Sequence, residues 1–153
     1  MTSIRILVAD DHESWRSLVC SRLKKELHLA KVFEASDGIE AVRKAQELQP
    51  DLIVLDIGLP RLNGIDAAHQ IRSFAPDARI LFLTGKSDPA LAEAALLTGA
   101  TGYLIKSDAG RELMTAVKAV IAGKRFVSER LRSTAHDLNS RGGKQKFDCN
   151  PTE

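Results

Sequence analysis

The sequence predicts a single α/β domain whose core is a doubly wound, five-stranded parallel sheet. Two observations carry this prediction. Strand and helix patterns alternate along the chain, which is typical of parallel sheets with helices on both faces. The aliphatic run of residues 52–55 lies between turn residues, as expected for a strand buried on both faces. A length of 153 residues with 44% hydrophobic residues suits one domain with a substantial core.

The first part of the chain contains two strand–helix units. Residues 4–9 are an aliphatic strand, and apolar side chains then recur at helical spacing over residues 12–28. Residues 31–35 predict a shorter strand. Asp37 in the following turn can cap a second helix, which Pro50 ends.

Three further units follow, which gives a (βα)5 pattern. The strand at residues 51–56 leads through a loop with Gly-Leu-Pro and Asn-Gly into a helix with the apolar stripe Ile65, Ala68 and Ile71. The remaining elements are a strand at 79–83, a helix from Pro89 to Gly99, a strand at 101–105 and a helix that Gly123 ends.

Charge is distributed unevenly between the two regions that we expect. Residues 1–123 form the domain and carry a net charge of −1, whereas residues 124–153 carry +3 and predict a basic, flexible tail. The whole chain has a net charge of only +2, which argues against extensive nucleic-acid binding by the domain.

The cysteine content and the apolar segments indicate where the protein works. Cys20 and Cys149 lie far apart and show no metal-binding spacing, so we expect two free thiols in a reducing cytoplasm. We expect no signal peptide, because the N-terminal residues run directly into a short strand that ends in acids. No apolar stretch approaches the roughly 18 residues that a membrane span needs, so we expect no membrane partner.

Polar side chains follow four of the predicted strands, at the point where each strand ends. They are Asp10, Asp11, Asp56, Thr84 and Lys106. The carboxyl ends of parallel strands meet at one edge of the sheet, where such folds bind their ligands. Three carboxylates at one edge repel each other, so the sequence predicts a cation there.

This pattern resembles the receiver domain of two-component response regulators, over residues 4 to about 123. The acid pair, Asp56 with its Leu-Pro and Asn-Gly loop, Thr84 and Lys106 appear in the family's order and on the expected elements. The turn at residues 35–41 is also similar to the family's second turn. The resemblance implies a flavodoxin-like fold and a signalling domain that is phosphorylated, not a classical enzyme.

The resemblance also implies a role for each residue at the sheet edge. Asp56 would be the phosphoacceptor and form an acyl phosphate. Lys106 would pair first with Asp56 and then with a phosphoryl oxygen, and Thr84 would donate a hydrogen bond to the phosphoryl group. The implied cofactor is Mg²⁺, held by Asp11 directly, by Asp10 mostly through water, by Asp56 and by the backbone carbonyl of Gly58.

Tyr103 stands three residues before Lys106, where the family carries a switch aromatic. Movement of Thr84 toward the phosphate would let this ring turn inward and change the surface of the fourth helix, fifth strand and fifth helix. The expected partners are a sensor histidine kinase or phosphotransfer protein, and a second copy bound through this surface. Only about thirty residues follow Gly123, too few for a helix-turn-helix module, so we expect no DNA-binding domain in this chain.

Two other function classes remain open. One is an aspartyl-phosphate hydrolase of the haloacid-dehalogenase type, which needs a second acid two residues after the nucleophile. Gly58 occupies that position and argues against this class. The other is a binding module that acts without phosphorylation. Such a module would be expected to lack one of the site residues, and all of them are present.

Overall fold

The structure is a computed structural model that describes residues 3–129 and residue 131. Its strands are β1 (Ile4–Ala9), β2 (Ala30–Ala35), β3 (Leu52–Leu55), β4 (Arg79–Thr84), β5 (Gly102–Ile105) and β6 (Phe126–Val127). Its helices are α1 (Glu13–Glu26), α2 (Gly38–Leu48), α3 (Gly64–Phe74), α4 (Pro89–Leu96) and α5 (Ala109–Ile121), with a 3₁₀ turn at Lys106–Asp108 before α5.

All strand pairs are parallel, and the strand order is β2-β1-β3-β4-β5-β6. Alternate residues of each strand point to opposite faces, so the sheet separates two apolar layers. One layer packs α2, α3 and α4 against the sheet, and the other packs α1 and α5. The predicted doubly wound α/β fold is therefore confirmed, with one strand more than expected.

Side chains at the helix starts explain why the helices begin where they do. Asp37 precedes α2 and accepts a hydrogen bond from the Glu40 N–H at 2.7 Å, as the sequence predicts. Asn63 accepts one from the Asp66 N–H at the start of α3. These bonds satisfy backbone donors that a helix N-terminus leaves without partners. They fix the loops that lead from the carboxyl ends of the strands into the helices.

Gly64, the first residue of α3, allows this helix to approach the chain just after β3. A Cβ atom there would lie 2.1 Å from the carbonyl oxygen of Asp56 and 2.8 Å from the Cα atom of Ile57. Only glycine fits at such a distance, so this residue fixes the path of the chain that carries Asp56.

The sixth strand comes from a segment that we expected to be tail. Phe126 and Val127 pair with Gly102 and Tyr103 of β5. The Ser128 hydroxyl, fully buried, accepts a hydrogen bond from the Ile105 N–H at 2.8 Å. Leu131 joins the same apolar layer as Tyr103. The sheet therefore extends beyond residue 123, while the rest of the expected tail, residue 130 and residues 132–153, lies outside the described residues.

This strand also borders the surface of the fourth helix, fifth strand and fifth helix, through which we expected a second copy to bind. In the structure, β6 pairs with the outer edge of β5, and the Ser128 N–H donates to the Tyr103 carbonyl at 2.9 Å. The chain therefore covers the backbone groups of this edge with its own residues. No contact among the described residues tests the expected homodimer.

Candidate functional site

Asp56 directly follows β3 and is almost completely buried, with 8% of its side chain exposed. Its backbone N–H donates to the Ala9 carbonyl, which extends the pairing of β3 with β1 by one residue. One carboxylate oxygen, Oδ1, accepts a weak hydrogen bond from the Gly58 N–H at 3.3 Å. The other, Oδ2, lies 3.3 Å from the Lys106 ammonium. The carboxylate is therefore held at the carboxyl edge of the sheet.

The acid pair after β1 lies at the same edge, and Lys106 joins it to Asp56. The Lys106 ammonium contacts Asp10 Oδ2 at 2.7 Å, and the side chain of Asp10 is only 4% exposed. Asp11 is more accessible, with 36% of its side chain exposed. Because the cluster contains three carboxylates and one ammonium, these four groups together retain excess negative charge when all are ionised.

Thr84 ends β4 and is buried beside this cluster. It pairs in register with Ile105, the residue before Lys106, so the structure places it at the same edge. The Lys86 N–H approaches its hydroxyl oxygen at 3.4 Å. The side chain of Lys86 lies over Gly58, with its Cε atom 3.9 Å from where a Gly58 Cβ would be. A Cβ atom at Gly58 would make only an ordinary van der Waals contact with this lysine, so the position of Lys86 does not require a glycine there.

Tyr103 is fully buried in β5, with its ring tilted against Phe82. Its hydroxyl donates a hydrogen bond to the Lys86 carbonyl at 2.8 Å. Burial, with smaller effects from the charges of Asp56 and Asp88, raises the pKa of Tyr103 to about 12. The hydroxyl therefore stays protonated at neutral pH. The ring is already turned inward here, and a switch role for Thr84 and Tyr103 stays a prediction.

Three residues that lie beside the acid pair were assigned no site role in the sequence analysis. The His12 imidazole lies 3.4 Å from carboxylate oxygens of both Asp10 and Asp11. The Lys106 ammonium lies 5.5 Å from the ring centroid of Trp15, a distance at which cations are attracted to aromatic faces. Arg16 donates to the Asp10 carbonyl and to the Glu34 carboxylate, each at 2.7 Å. Trp15 and Arg16 lie on the first turn of α1 and His12 directly precedes it, so their closeness in sequence to the acid pair was the signal that could have indicated these contacts.

The carboxylates fit a metal ion. Potential ligand atoms of Asp10, Asp11, His12 and Asp56 all lie within 4.8 Å of one another. Carboxylate oxygens are the ligands that Mg²⁺ prefers, and the partial exposure of Asp11 suits an ion that keeps several waters. The excess negative charge of the cluster gives a physical reason for a cation.

The part of the chain that the structure describes has no helix both long and apolar enough to cross a membrane.

Comparison with known proteins agrees with this geometry. Residues 6–118 match the model of the response regulator receiver domain. The transcriptional regulatory protein LnrK of Bacillus subtilis is 36% identical over 136 residues, which are 89% of this chain and 61% of LnrK. The DNA-binding transcriptional activator DevR/DosR of Mycobacterium tuberculosis is 37% identical over 146 residues, 95% of this chain and 66% of that protein.

Solved structures give the same result. A two-component response regulator of the LuxR family from Aurantimonas superimposes with a TM-score of 0.84 at 35% identity, covering 91% of this chain and 99% of that one. The receiver domain of Thermotoga maritima CheB gives a TM-score of 0.69 at 30% identity, covering 78% of this chain and 97% of that domain. Both similarities extend over most of the described fold.

These relatives correct our expectation about partners. We expected an output that does not act on DNA, because too few residues follow Gly123 for a DNA-binding module. DevR/DosR is named as a DNA-binding activator, and LnrK as a transcriptional regulator. This chain spans about three fifths of the length of the curated relatives that it matches. The number of residues after Gly123 therefore does not indicate the output. The expectation of an output that does not act on DNA is wrong.

Proposed function

This chain belongs to the response regulator receiver domain family, and we propose that Asp56 is its phosphoacceptor. The observation that carries the proposal is the position of Asp56, a nearly buried carboxylate 3.3 Å from the Lys106 ammonium. It follows β3 at the edge of the sheet where the acid pair also lies. Because the chain belongs to this family, neither alternative is favoured: not the aspartyl-phosphate hydrolase, and not the binding module that acts without phosphorylation.

The chemistry that we propose is a simple displacement. An oxygen of the Asp56 carboxylate attacks the phosphorus of a phosphodonor, the bond from phosphorus to the leaving group breaks, and an aspartyl phosphate forms. Lys106 compensates the negative charge of the phosphoryl oxygens, and the Thr84 hydroxyl donates a hydrogen bond to one of them. Such a reaction depends on positioning and charge neutralisation, which these side chains supply. The domain thus carries out its own phosphorylation and later dephosphorylation without being a classical enzyme.

The cofactor that we propose is Mg²⁺, bound by Asp10, Asp11, Asp56 and the Gly58 carbonyl. When bound, the ion would neutralise phosphoryl charge that Lys106 alone cannot compensate. The side chain of Asp10 is committed to Lys106 at 2.7 Å, whereas Asp11 has no such partner among the described ion pairs apart from His12. Asp11 is therefore the residue on which binding should depend most.

The fluorescence of Trp15 should report this binding. Trp15 is the only tryptophan, and the ammonium over its ring also contacts Asp10 and Asp56. Addition of Mg²⁺ should therefore shift Lys106 and change the emission in a saturable manner. Asp11→Asn should lower the Mg²⁺ affinity by about tenfold or more, because it removes a charged ligand.

Asp77→Asn is the matched control, because Asp77 is exposed in the turn before β4. It should titrate like the wild-type chain. An Asp11→Asn variant that titrates with Mg²⁺ as the wild type does would show that the acid cluster is not the metal site.

The response that this receiver controls is, we propose, a change in transcription. The support is that the relatives described above are named as transcriptional regulators. Asp56→Asn at the chromosomal locus should then alter transcript levels of the regulated genes, and Asp77→Asn should not. Identical transcript profiles for the two variants would contradict this output.

We also propose that the protein is located in the cytoplasm, as expected from its free thiols.

A further inference from the structure

His12 brings a nitrogen ligand into a site otherwise made of oxygen. Its Nδ1 atom lies 3.4 Å from Asp10 Oδ1 and 3.4 Å from Asp11 Oδ1. Among the described residues, it is the histidine that belongs to the group of potential metal ligands, together with Asp10, Asp11 and Asp56. His28 and His69 lie elsewhere in the fold and are not part of this group.

The position of His12 is set by the chain around it. Its backbone N–H donates to Asp10 Oδ1 at 2.9 Å, which holds residues 10–12 in a tight turn before α1. Arg16 fixes the same turn from the other side, through its 2.7 Å bond to the Asp10 carbonyl. The imidazole is 71% exposed, so water and ions reach it freely. The turn therefore presents the imidazole at the open side of the acid cluster.

The separations suit a shared ion. Ligand atoms that each lie about 2.1 Å from one tetrahedral Zn²⁺ are about 3.4 Å apart. Nδ1 of His12 lies 3.4 Å from Asp10 Oδ1 and 3.4 Å from Asp11 Oδ1, so both pairs of atoms already have this separation. All four potential ligand atoms lie within 4.8 Å of one another. Because the imidazole of His12 is 71% exposed, a small change in its position costs little free energy.

We infer that His12 makes this site selective among divalent cations, so that ions which accept imidazole, Zn²⁺ above all, bind through Nδ1 of His12 together with the carboxylates. The inference rests on the acid cluster being the metal site of the proposed function. Mg²⁺ prefers oxygen ligands and gains little from an imidazole, whereas Zn²⁺ takes histidine nitrogen readily. The two ions should therefore use the same carboxylates but depend differently on His12.

The test compares Zn²⁺ and Mg²⁺ binding in the full chain by calorimetric titration. His12→Ala should weaken Zn²⁺ binding at the site by about tenfold or more and Mg²⁺ binding by less than about threefold. Asp11→Asn should weaken both. His69→Ala is the matched control, since His69 is an exposed histidine on α3, and it should leave both affinities as in the wild type.

Nitrogen NMR of the imidazole rings gives a readout that a purely structural role of His12 would not change. Zn²⁺ should shift the Nδ1 resonance of His12 in the wild-type chain, and this shift should disappear in Asp11→Asn. A His12 resonance that Zn²⁺ leaves in place, or an unchanged Zn²⁺ affinity in His12→Ala, would overturn the inference. If Zn²⁺ binds through His12 but Mg²⁺ does not bind at all, the inference about His12 is supported and the proposal that Mg²⁺ is the cofactor is contradicted.

Discussion

Asp56→Asn is expected to gain no phosphoryl group from acetyl phosphate and Mg²⁺, whereas the wild-type chain gains one. An amide is too weak a nucleophile to form the acyl phosphate, so the loss should be complete. The substitution preserves the size of the side chain, and Asp10 still holds Lys106 at 2.7 Å, so the fold should survive. Intact-mass spectrometry detects the added group directly.

Asp77→Asn again serves as the control, because it removes an exposed carboxylate far along the chain from the site. It should gain one phosphoryl group, as the wild type does. The added mass should also disappear in mild base, to which acyl phosphates are labile. A base-labile phosphoryl group on Asp56→Asn would contradict the assignment.

Gly64→Ala should have the second large effect, on stability and phosphorylation together. The new Cβ would lie 2.1 Å from the Asp56 carbonyl oxygen, so either α3 or the chain after β3 must move. Overpacking of this kind against backbone should lower the free energy of unfolding by about 3 kcal/mol or more. Phosphorylation should slow as well, because the backbone that carries the acceptor is displaced. Urea denaturation and intact-mass time courses measure the two effects.

Gly110→Ala is the control for Gly64→Ala. It distinguishes the destabilisation caused by the clash at Gly64 from the effect of replacing any helical glycine with alanine. Gly110 lies in the first turn of α5, and a Cβ there meets nothing within 4 Å. This variant should be more stable than the wild type, by about 0.5–1 kcal/mol, because alanine favours the helix. Equal stabilities for Gly64→Ala and Gly110→Ala would show that α3 does not approach Asp56 as described.

Most of the fold could be predicted because its strands are buried on both faces. Residues 52–55 are all buried, and such a run, alternating along the chain with helical patterns, is typical of a parallel sheet covered on both faces. The turn and cap residues then fix the helix starts, as Asp37 and Pro89 do here. Parallel strands bring their carboxyl ends to one edge, so Asp10, Asp56 and Lys106 could be placed together before any distance was known.

The sixth strand could not be predicted in this way. Phe126 and Val127 make a strand of only two residues, which is too short to show any periodicity. What stabilises it is the free edge of β5 and the Ser128 hydroxyl on the Ile105 N–H, which are contacts across more than twenty residues. The place of His12 next to the acid pair is visible in the sequence, but its distances from the two carboxylates depend on how the turn before α1 folds.

The error about partners has a different origin. The number of residues after Gly123 describes only this sequence. The output of a receiver domain depends on the whole response regulator to which the domain belongs. The physical features of the domain carry no record of that output. What overturned the expectation is that the longer relatives are named as transcriptional regulators, one of them as a DNA-binding activator.

The central claim, that Asp56 carries the phosphoryl group, is tested most directly by locating the group within the chain. Borohydride reduces an aspartyl phosphate to homoserine, which peptide mass spectrometry finds at a single residue. After treatment with acetyl phosphate and Mg²⁺, we expect homoserine at position 56 alone, and none when Mg²⁺ is chelated. Homoserine at position 10 or 11, or an intact aspartate at position 56 in phosphorylated protein, would contradict the claim.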